Sequence, residues 1–210
     1  MGKITEISPQ VKNKERCNIY IDNVFCCGIL LETVIKNKLK VGNFISEEEL
    51  GKIQLESERA TVFDKSLDYI TKSQKTEKQV RDKLKEKGYL KETVDYVIGK
   101  LKEYKFVDDE EYVKSYIRIY QNKKGKKLLE YELRLKGVRK DIIERVFEEI
   151  DIDQKDPCAE IMKKHLRGKE WTKENLSKAY KYVLSKGFSY EEASYALSKL
   201  KENLNESIDG

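Results

Sequence analysis

A Lys-Gly step occurs three times in this chain, at Lys87-Gly88, Lys136-Gly137 and Lys186-Gly187, with intervals of 49 and 50 residues between the glycines. Helical apolar spacing flanks each step and keeps its register from copy to copy. One position after the glycines stand Tyr89, Val138 and Phe188; six after, Val94, Ile143 and Ala193; nine after, Val97, Val146 and Ala196. Ten after are Ile98, Phe147 and Leu197, and thirteen after are Leu101, Ile150 and Leu200. Four before are Leu84, Leu133 and Val183, and eight before are Val80, Leu129 and Ala179. Steps of three and four build one buried stripe on a helix. Glycine enters the left-handed region without steric cost and so commonly ends a helix, and the lysine before it suits the negative end of the helix dipole. Each copy therefore predicts a helix ending at the glycine, a short turn, and a second helix packed back on the first. A third helix precedes them, because Phe63 and Leu67, Tyr112 and Tyr116, and Met162 and Leu166 form apolar pairs 25 and 21 residues before each glycine. The period fits a solenoid-like array of three-helix units.

The first 60 residues have a different pattern. Lys3–Ile7 alternates, Cys17–Ile21 is a β-rich run, Asp22-Asn23 signals a turn, and Val24–Cys27 returns. These predict a three-stranded antiparallel sheet with a hairpin between its second and third strands. Leu30 to Leu39 predicts a short helix, ended at Val41-Gly42. Ser46-Glu-Glu-Glu49 is a capping-box start for the next helix, which runs on into the first repeat because only Gly51 interrupts the segment from Leu50 to Ile70. A second capping box at Thr76–Gln79 places the central helix of the first unit at 76–87. Acidic Asp108–Glu111 opens the second unit. Gln121–Gly125 forms a loop before its central helix, and Asp151–Pro157 is a polar linker. Trp171-Thr172 precedes the central helix of the third unit, Ser189–Glu192 caps its last helix, and the tail from Asn205 is expected to fray. The expected fold is mainly α, with three tandem three-helix repeats after a small N-terminal α+β domain holding a short antiparallel sheet. The expected domains are residues 1–60, 61–107, 108–152 and 153–210.

At 210 residues and 39% apolar, the chain can bury a sizeable core. Charged residues also make up 39%, with both signs mixed and only two prolines, which reads as helical with solvated faces. No apolar run is long enough to span a membrane, and MGKITEISPQ has no signal-peptide core. Glu6 stands where a myristoylation signal needs Ser or Thr. A cytoplasmic protein without membrane contact is the expectation. Cys17, Cys26, Cys27 and Cys158 form no Cys-x-x-Cys pair, and with a single histidine a zinc site is not expected. They read as reduced cysteines acting as small apolar residues, with Cys26 and Cys27 on opposite faces of a strand.

The net charge of +5 matters only once it is located. From Lys114 to Lys140, ten basic residues meet only Glu130 and Glu132, netting +8. They include Lys123, Lys124, Lys126, Lys127, Arg134, Lys136 and Arg139. From Lys65 to Lys91, nine basic residues, among them Arg81, Lys83 and Lys87, meet four acids, netting +5. The first sixty residues balance at nine against nine and the last sixty at eleven against eleven. The excess thus lies over the central helices of the first two repeats and the loops before them. A positive stripe of that kind attracts polyphosphate or an acidic protein surface. Tyr89, Tyr104, Tyr112, Tyr116 and Tyr131 include core positions of the repeat, so a base-stacking platform is not indicated.

Catalytic chemistry finds little support. There is no Gly-x-Gly-x-x-Gly and no Walker-type loop. His165, beside Leu166, reads as a surface or boundary residue, and nucleophile-and-base sets cannot be assembled around a single histidine. Carboxylates are abundant, but none sits on an apolar stripe where its pKa would be tuned. No cofactor or metal is expected.

Several segments carry a resemblance. Thr76–Tyr89 (TEKQVRDKLKEKGY) resembles the regulatory protein RecX family, as do Phe106–Tyr112, Lys124-Gly125 ahead of Leu133–Gly137, and Lys186–Tyr190. The strands around Ile4–Ile7 are similar to an extension carried by Gram-positive members. The resemblance covers essentially the whole chain and rests on the combination and order of loose motifs. It implies tandem three-helix repeats after a small N-terminal domain. It also implies a non-enzymatic modulator that binds along the groove of the RecA–DNA filament, hinders filament growth, lowers ATP hydrolysis and strand exchange, and damps recombination and the SOS response. The implied partners are the RecA filament and single- or double-stranded DNA, and the chain is expected to be monomeric. One departure is Ala193 and Ala196 in the last helix, where larger apolar residues are usual, so looser packing of the third repeat is expected. The competing reading is a stand-alone basic helical-repeat DNA-binding protein, and a third is a scaffold for a purely protein partner. For the first two, the expected contact residues are Arg81, Lys83, Lys87, Lys123, Lys124, Lys126, Lys127, Arg134, Lys136 and Arg139.

Overall fold

The computed structural model describes residues 1–150 and 152–206. Three strands, β1 (Gly2–Pro9), β2 (Arg16–Ile21) and β3 (Val24–Leu30), are followed by α1 (Leu31–Lys36) and a two-residue strand β4 (Phe44–Ile45). Helices α2 (Glu47–Thr71), α3 (Glu77–Glu86) and α4 (Lys91–Glu103) form the first trio. The second is α5 (Asp109–Tyr120), α6 (Lys126–Leu135) and α7 (Lys140–Glu149). The third is α8 (Lys155–Leu166), α9 (Lys173–Ser185) and α10 (Tyr190–Glu206). The chain falls into two compact units, one of Met1–Lys75 with Val80–Val107, the other of Thr76–Gln79 with the residues from Asp108 onward.

In the first unit the sheet has four strands, in the order β3-β2-β1-β4, all antiparallel. The expected three-stranded sheet is thus one strand short. Phe44-Ile45 is too brief to show alternation, and it pairs with Gly2 and Lys3 of β1. Asp22 and Asn23 both take positive φ, at 49° and 66°, which is the two-residue hairpin turn whose twist matches its strands. Alternation buries Ile4, Cys17, Ile19, Cys27 and Ile29 on one face, with Val34, Ile45 and Leu50 closing over them. Cys27 is buried and Cys26 exposed, as opposite faces of a strand require, and the four cysteines are unbridged. Helix α1 is shorter than the expected Leu30–Leu39, because Asn37 caps it and Lys38 turns the chain at φ 51°.

Ser46 and Glu49 close the capping box of α2 reciprocally. The helix then continues for 25 residues without a break at Gly51. Its first half covers the sheet, where the Ser57 hydroxyl accepts the Leu30 N–H at 2.7 Å. Its second half carries Val62 into the core of the first trio with Val80, Leu84, Val94, Val97, Ile98 and Leu101. Here the expected pair Phe63 and Leu67 is only half-buried, and Val62 and Ser66 take the innermost places. The register is offset by one residue, hidden in the sequence because one of the two buried side chains is a serine. Ser66 satisfies its hydroxyl on the Val62 carbonyl at 2.7 Å.

The second unit holds two helical cores. One gathers Tyr112, Val113, Ile117, Leu129, Leu133, Val138, Ile143, Val146 and Phe147. The other gathers Cys158, Met162, Leu166, Ala179, Val183, Phe188, Ala193, Ala196 and Leu200. Ala193 and Ala196 are fully buried. Gly88, Gly137 and Gly187 have φ of 82°, 85° and 90°, the left-handed helix endings the Lys-Gly steps predict. The expected linker at 151–157 is shorter. Asp151 lies outside the described residues, and α8 already begins at Lys155 with Pro157 in its first turn, where a missing N–H costs nothing. Helix α10 reaches Glu206, and the rest of the tail expected to fray, 207–210, lies outside the described residues.

Candidate functional site

The basic residues of α6 and its flanking turns sit on a helix with unusual electrostatics. The other nine described helices all carry an acid in their first turn, where the dipole favours it. Helix α6 carries none and is capped by Gly125 without a side chain. Lys123, Lys124, Lys126 and Lys127 crowd its positive end instead.

What holds that end in place is the third trio. The Gly125 N–H donates to the Lys186 carbonyl at 2.9 Å and the Lys127 N–H to the Gly187 carbonyl at 3.2 Å. The Lys126 N–H donates to Gln154 Oε1 at 2.7 Å. Gln154, 2% exposed, in turn donates Nε2 to the carbonyls of Gln121 and Lys124, both at 2.9 Å. The same arrangement appears at the start of α3. The Thr76 hydroxyl donates to the Lys136 carbonyl at 2.7 Å, and the Glu77 N–H donates to Asp109 Oδ1 at 2.8 Å. Each time, the start of a central helix meets the carbonyl before the next Lys-Gly glycine, and its first N–H meets a side chain opening the next trio. The second and third Lys-Gly steps therefore both end their own helix and receive the preceding one.

With those N–H groups already satisfied, α6 offers an anion its side chains alone. Lys124 is committed inward: its ammonium lies 2.7 Å from both Glu132 oxygens and 4.5 Å from the Tyr120 ring centre. Burial alone would raise the Glu132 carboxyl, but hydrogen bonds from Lys124 and Tyr116 outweigh it and hold the group below its ordinary value. Burial and the bond to Glu132 push the Tyr116 hydroxyl up. Lys136 is half-buried over the Tyr116 ring at 5.4 Å. Lys126 stands over Phe147 at 5.2 Å and Lys127 over Tyr190 at 5.8 Å, each with its ammonium at the surface. Arg139 is exposed and paired with Asp141. Lys123 and Arg134 are exposed.

Seven residues is close to two helical turns, so Lys127 and Arg134 lie on one face of α6. Tyr131, 54% exposed, falls between them. Of the five tyrosines expected to include core positions, Tyr112 is buried, whereas Tyr131 and Tyr104, the latter 56% exposed, are not. Both stand just off the apolar stripe, which periodicity alone resolves poorly for tyrosine. In the first unit, Arg81 is bound to Asp95 at 2.5 Å and Lys83 to Glu86 at 2.9 Å, while Lys87 is exposed. Among the described residues, no group of three or more His, Cys, Asp or Glu is arranged to hold a metal ion, and no helix is long and apolar enough to cross a membrane.

Known proteins share this organisation. Three family models match: the regulatory protein RecX N-terminal domain over residues 2–46, the RecX first three-helix domain over 63–101, and the RecX second three-helix domain over 108–146. Regulatory protein RecX of Clostridium tetani is 34% identical over 205 residues, covering 95% of each chain. That of Clostridium perfringens strain SM101 is 34% identical over 208 residues, covering 97% of this chain and 98% of its own. A crystal structure of regulatory protein RecX superposes with a TM-score of 0.73 at 26% identity, over 92% of this chain and 98% of that one. The sheet, the first two trios and near full-length relatives agree, and the chain belongs to the regulatory protein RecX family.

Proposed function

We propose that this chain regulates recombination without catalysing a reaction of its own. It binds RecA–DNA filaments, restrains their growth, lowers their ATP hydrolysis and strand exchange, and so damps the SOS response. In this reading it works in the cytoplasm as a monomer. The observation that carries the reading is the outward row Lys127, Tyr131 and Arg134 on a helix whose N-terminus is crowded with lysines against its own dipole. Such a surface is costly to a lone protein and gains when polyphosphate or acidic protein approaches. Lys123, Lys126 and Arg139 flank the row, and within the first unit Arg81, Lys83 and Lys87 are the residues expected to meet the filament. Lys124 and Lys136 support the row from behind, as their contacts with Glu132 and Tyr116 imply.

The test is the ATPase of a cognate recombinase on single-stranded DNA, titrated with the full chain. Inhibition is expected, and K127E/R134E should weaken it by tenfold or more at ~0.1 M salt, where exposed charges still act. A double variant that inhibits as well as the parent removes α6 from the contact. Tight binding to bare DNA with a steep salt slope, and no added affinity for filaments, replaces the reading with a stand-alone DNA-binding protein.

A further inference from the structure

The third trio holds a basic site that the balanced charge of the last sixty residues conceals. In the second trio, the end of α5 and the start of α6 are covered by the packing around Gln154. In the third trio the corresponding place, between the end of α8 and the start of α9, is an open pocket of about 420 Å³. The difference begins in the sequence. Helix α9 has 13 residues where α3 and α6 have 10, so its cap, Thr172, stands one turn further from the Lys-Gly step. Gly168 turns the chain at φ 73° with open space where a Cβ would lie. Trp171 is thereby held half-buried against the core, with Leu166 beside it.

Around this apolar floor stand Lys163, Lys164, Arg167 and Lys169, all exposed, against a single acid, Glu160. The helix dipole accounts for Lys163 and Lys164, which lie in the last turn of α8. It does not account for Arg167 and Lys169 beyond the helix end, or for an indole left at the surface among them. We propose that this pocket binds single-stranded DNA, with a base stacked on Trp171 and the adjoining phosphates on Lys164, Arg167 and Lys169. Several cations strung along a helix end and the following loop match a polyanion better than a point anion. An indole is a sequence-tolerant stacking surface, and the cavity falls within the usual size of a small-ligand site, about 300–1,000 Å³. Among the described residues, no strand lines this pocket to guide an extended peptide. The inference deepens the reading of this chain as a binder of DNA-containing filaments, and it places a contact within the last sixty residues, whose formal charges cancel.

Trp171 is the only tryptophan of the chain, so its fluorescence reports this pocket directly. The full-length protein is titrated with a 20-nucleotide oligothymidylate at low salt, with a fluorescein-labelled copy followed by anisotropy in parallel. Saturable quenching is expected, with an affinity that falls as salt is raised. K164E/R167E should weaken it at least tenfold. W171F should keep its circular dichroism, lose the signal and bind labelled DNA about five- to hundredfold more weakly, as loss of one stacked base implies. Binding seen by anisotropy without quenching places the DNA elsewhere and overturns the proposal, as does absence of binding. Stronger quenching by polyglutamate than by oligothymidylate overturns it in favour of an acidic peptide. Recombinase inhibition that survives K164E/R167E and W171F while quenching is lost leaves the filament reading standing and assigns this pocket to free DNA alone. Quenching without any recombinase inhibition does the reverse.

Discussion

Gly88 and Gly187 end their helices with nearly the same backbone, at φ 82° and 90°, yet they are held to different standards. A Cβ at Gly88 would meet nothing within 4 Å. A Cβ at Gly187 would lie 2.4 Å from the backbone nitrogen of Leu128 and 2.5 Å from its side chain. A Cβ at Gly137 would lie 2.0 Å from Cδ and 2.5 Å from Cβ of Lys78, a side chain rather than backbone. The comparison separates two reasons for one residue. Every copy needs glycine for the left-handed turn, but only the copies that receive a preceding helix need it for room.

The largest effect should come from Gly187→Ala. Left-handed strain and a backbone clash together should cost about 3 kcal/mol or more, read as a lowered urea midpoint. Gly88→Ala should cost only about 1 kcal/mol, the strain alone. Equal losses would break the comparison. Next comes Gln154→Ala, which leaves the Gln121 and Lys124 carbonyls and the Lys126 N–H without their partner. A loss of about 2 kcal/mol is expected in the same assay. Thr76→Ala should then cost more than Thr172→Ala, roughly 2 against 1 kcal/mol. Both hydroxyls cap a helix, but only that of Thr76 also donates to a neighbouring turn. The smallest effect concerns pH. Glu132 is held below its ordinary value of 4.5, so its stabilising contribution is present above that pH and is lost as pH falls through the lowered folded value. Lys124→Met should flatten this acid limb, by about 1 kcal/mol at most for a partly exposed pair.

The trios were legible because glycine and apolar spacing are loud signals, and three copies in register reinforce one another. What docks a central helix on the following turn was not. It consists of main-chain groups and the side chains of Thr76, Asp109 and Gln154, whose composition carries no period. Gln154 fell inside a stretch that reads as a polar linker, and only its position shows it to be buried. Charge counting over windows exposed Lys127 and Arg134 but missed the group around Trp171, because acids elsewhere in the last sixty residues cancel it in the sum. Nor could counting show that Lys124 turns inward to Glu132 while its neighbours face solvent.

Helix α2, about 37 Å long at 1.5 Å per residue, belongs to the sheet at one end and to the first helical core at the other. Its continuity leaves no seam for a protease and no hinge to absorb a load. Removing the first sixty residues would cut this rod in mid-span and strip its lower half of partners. A shortened chain beginning there would therefore lose footing in the trio as well as the sheet, and any force applied to the strands would reach Val62 undiminished.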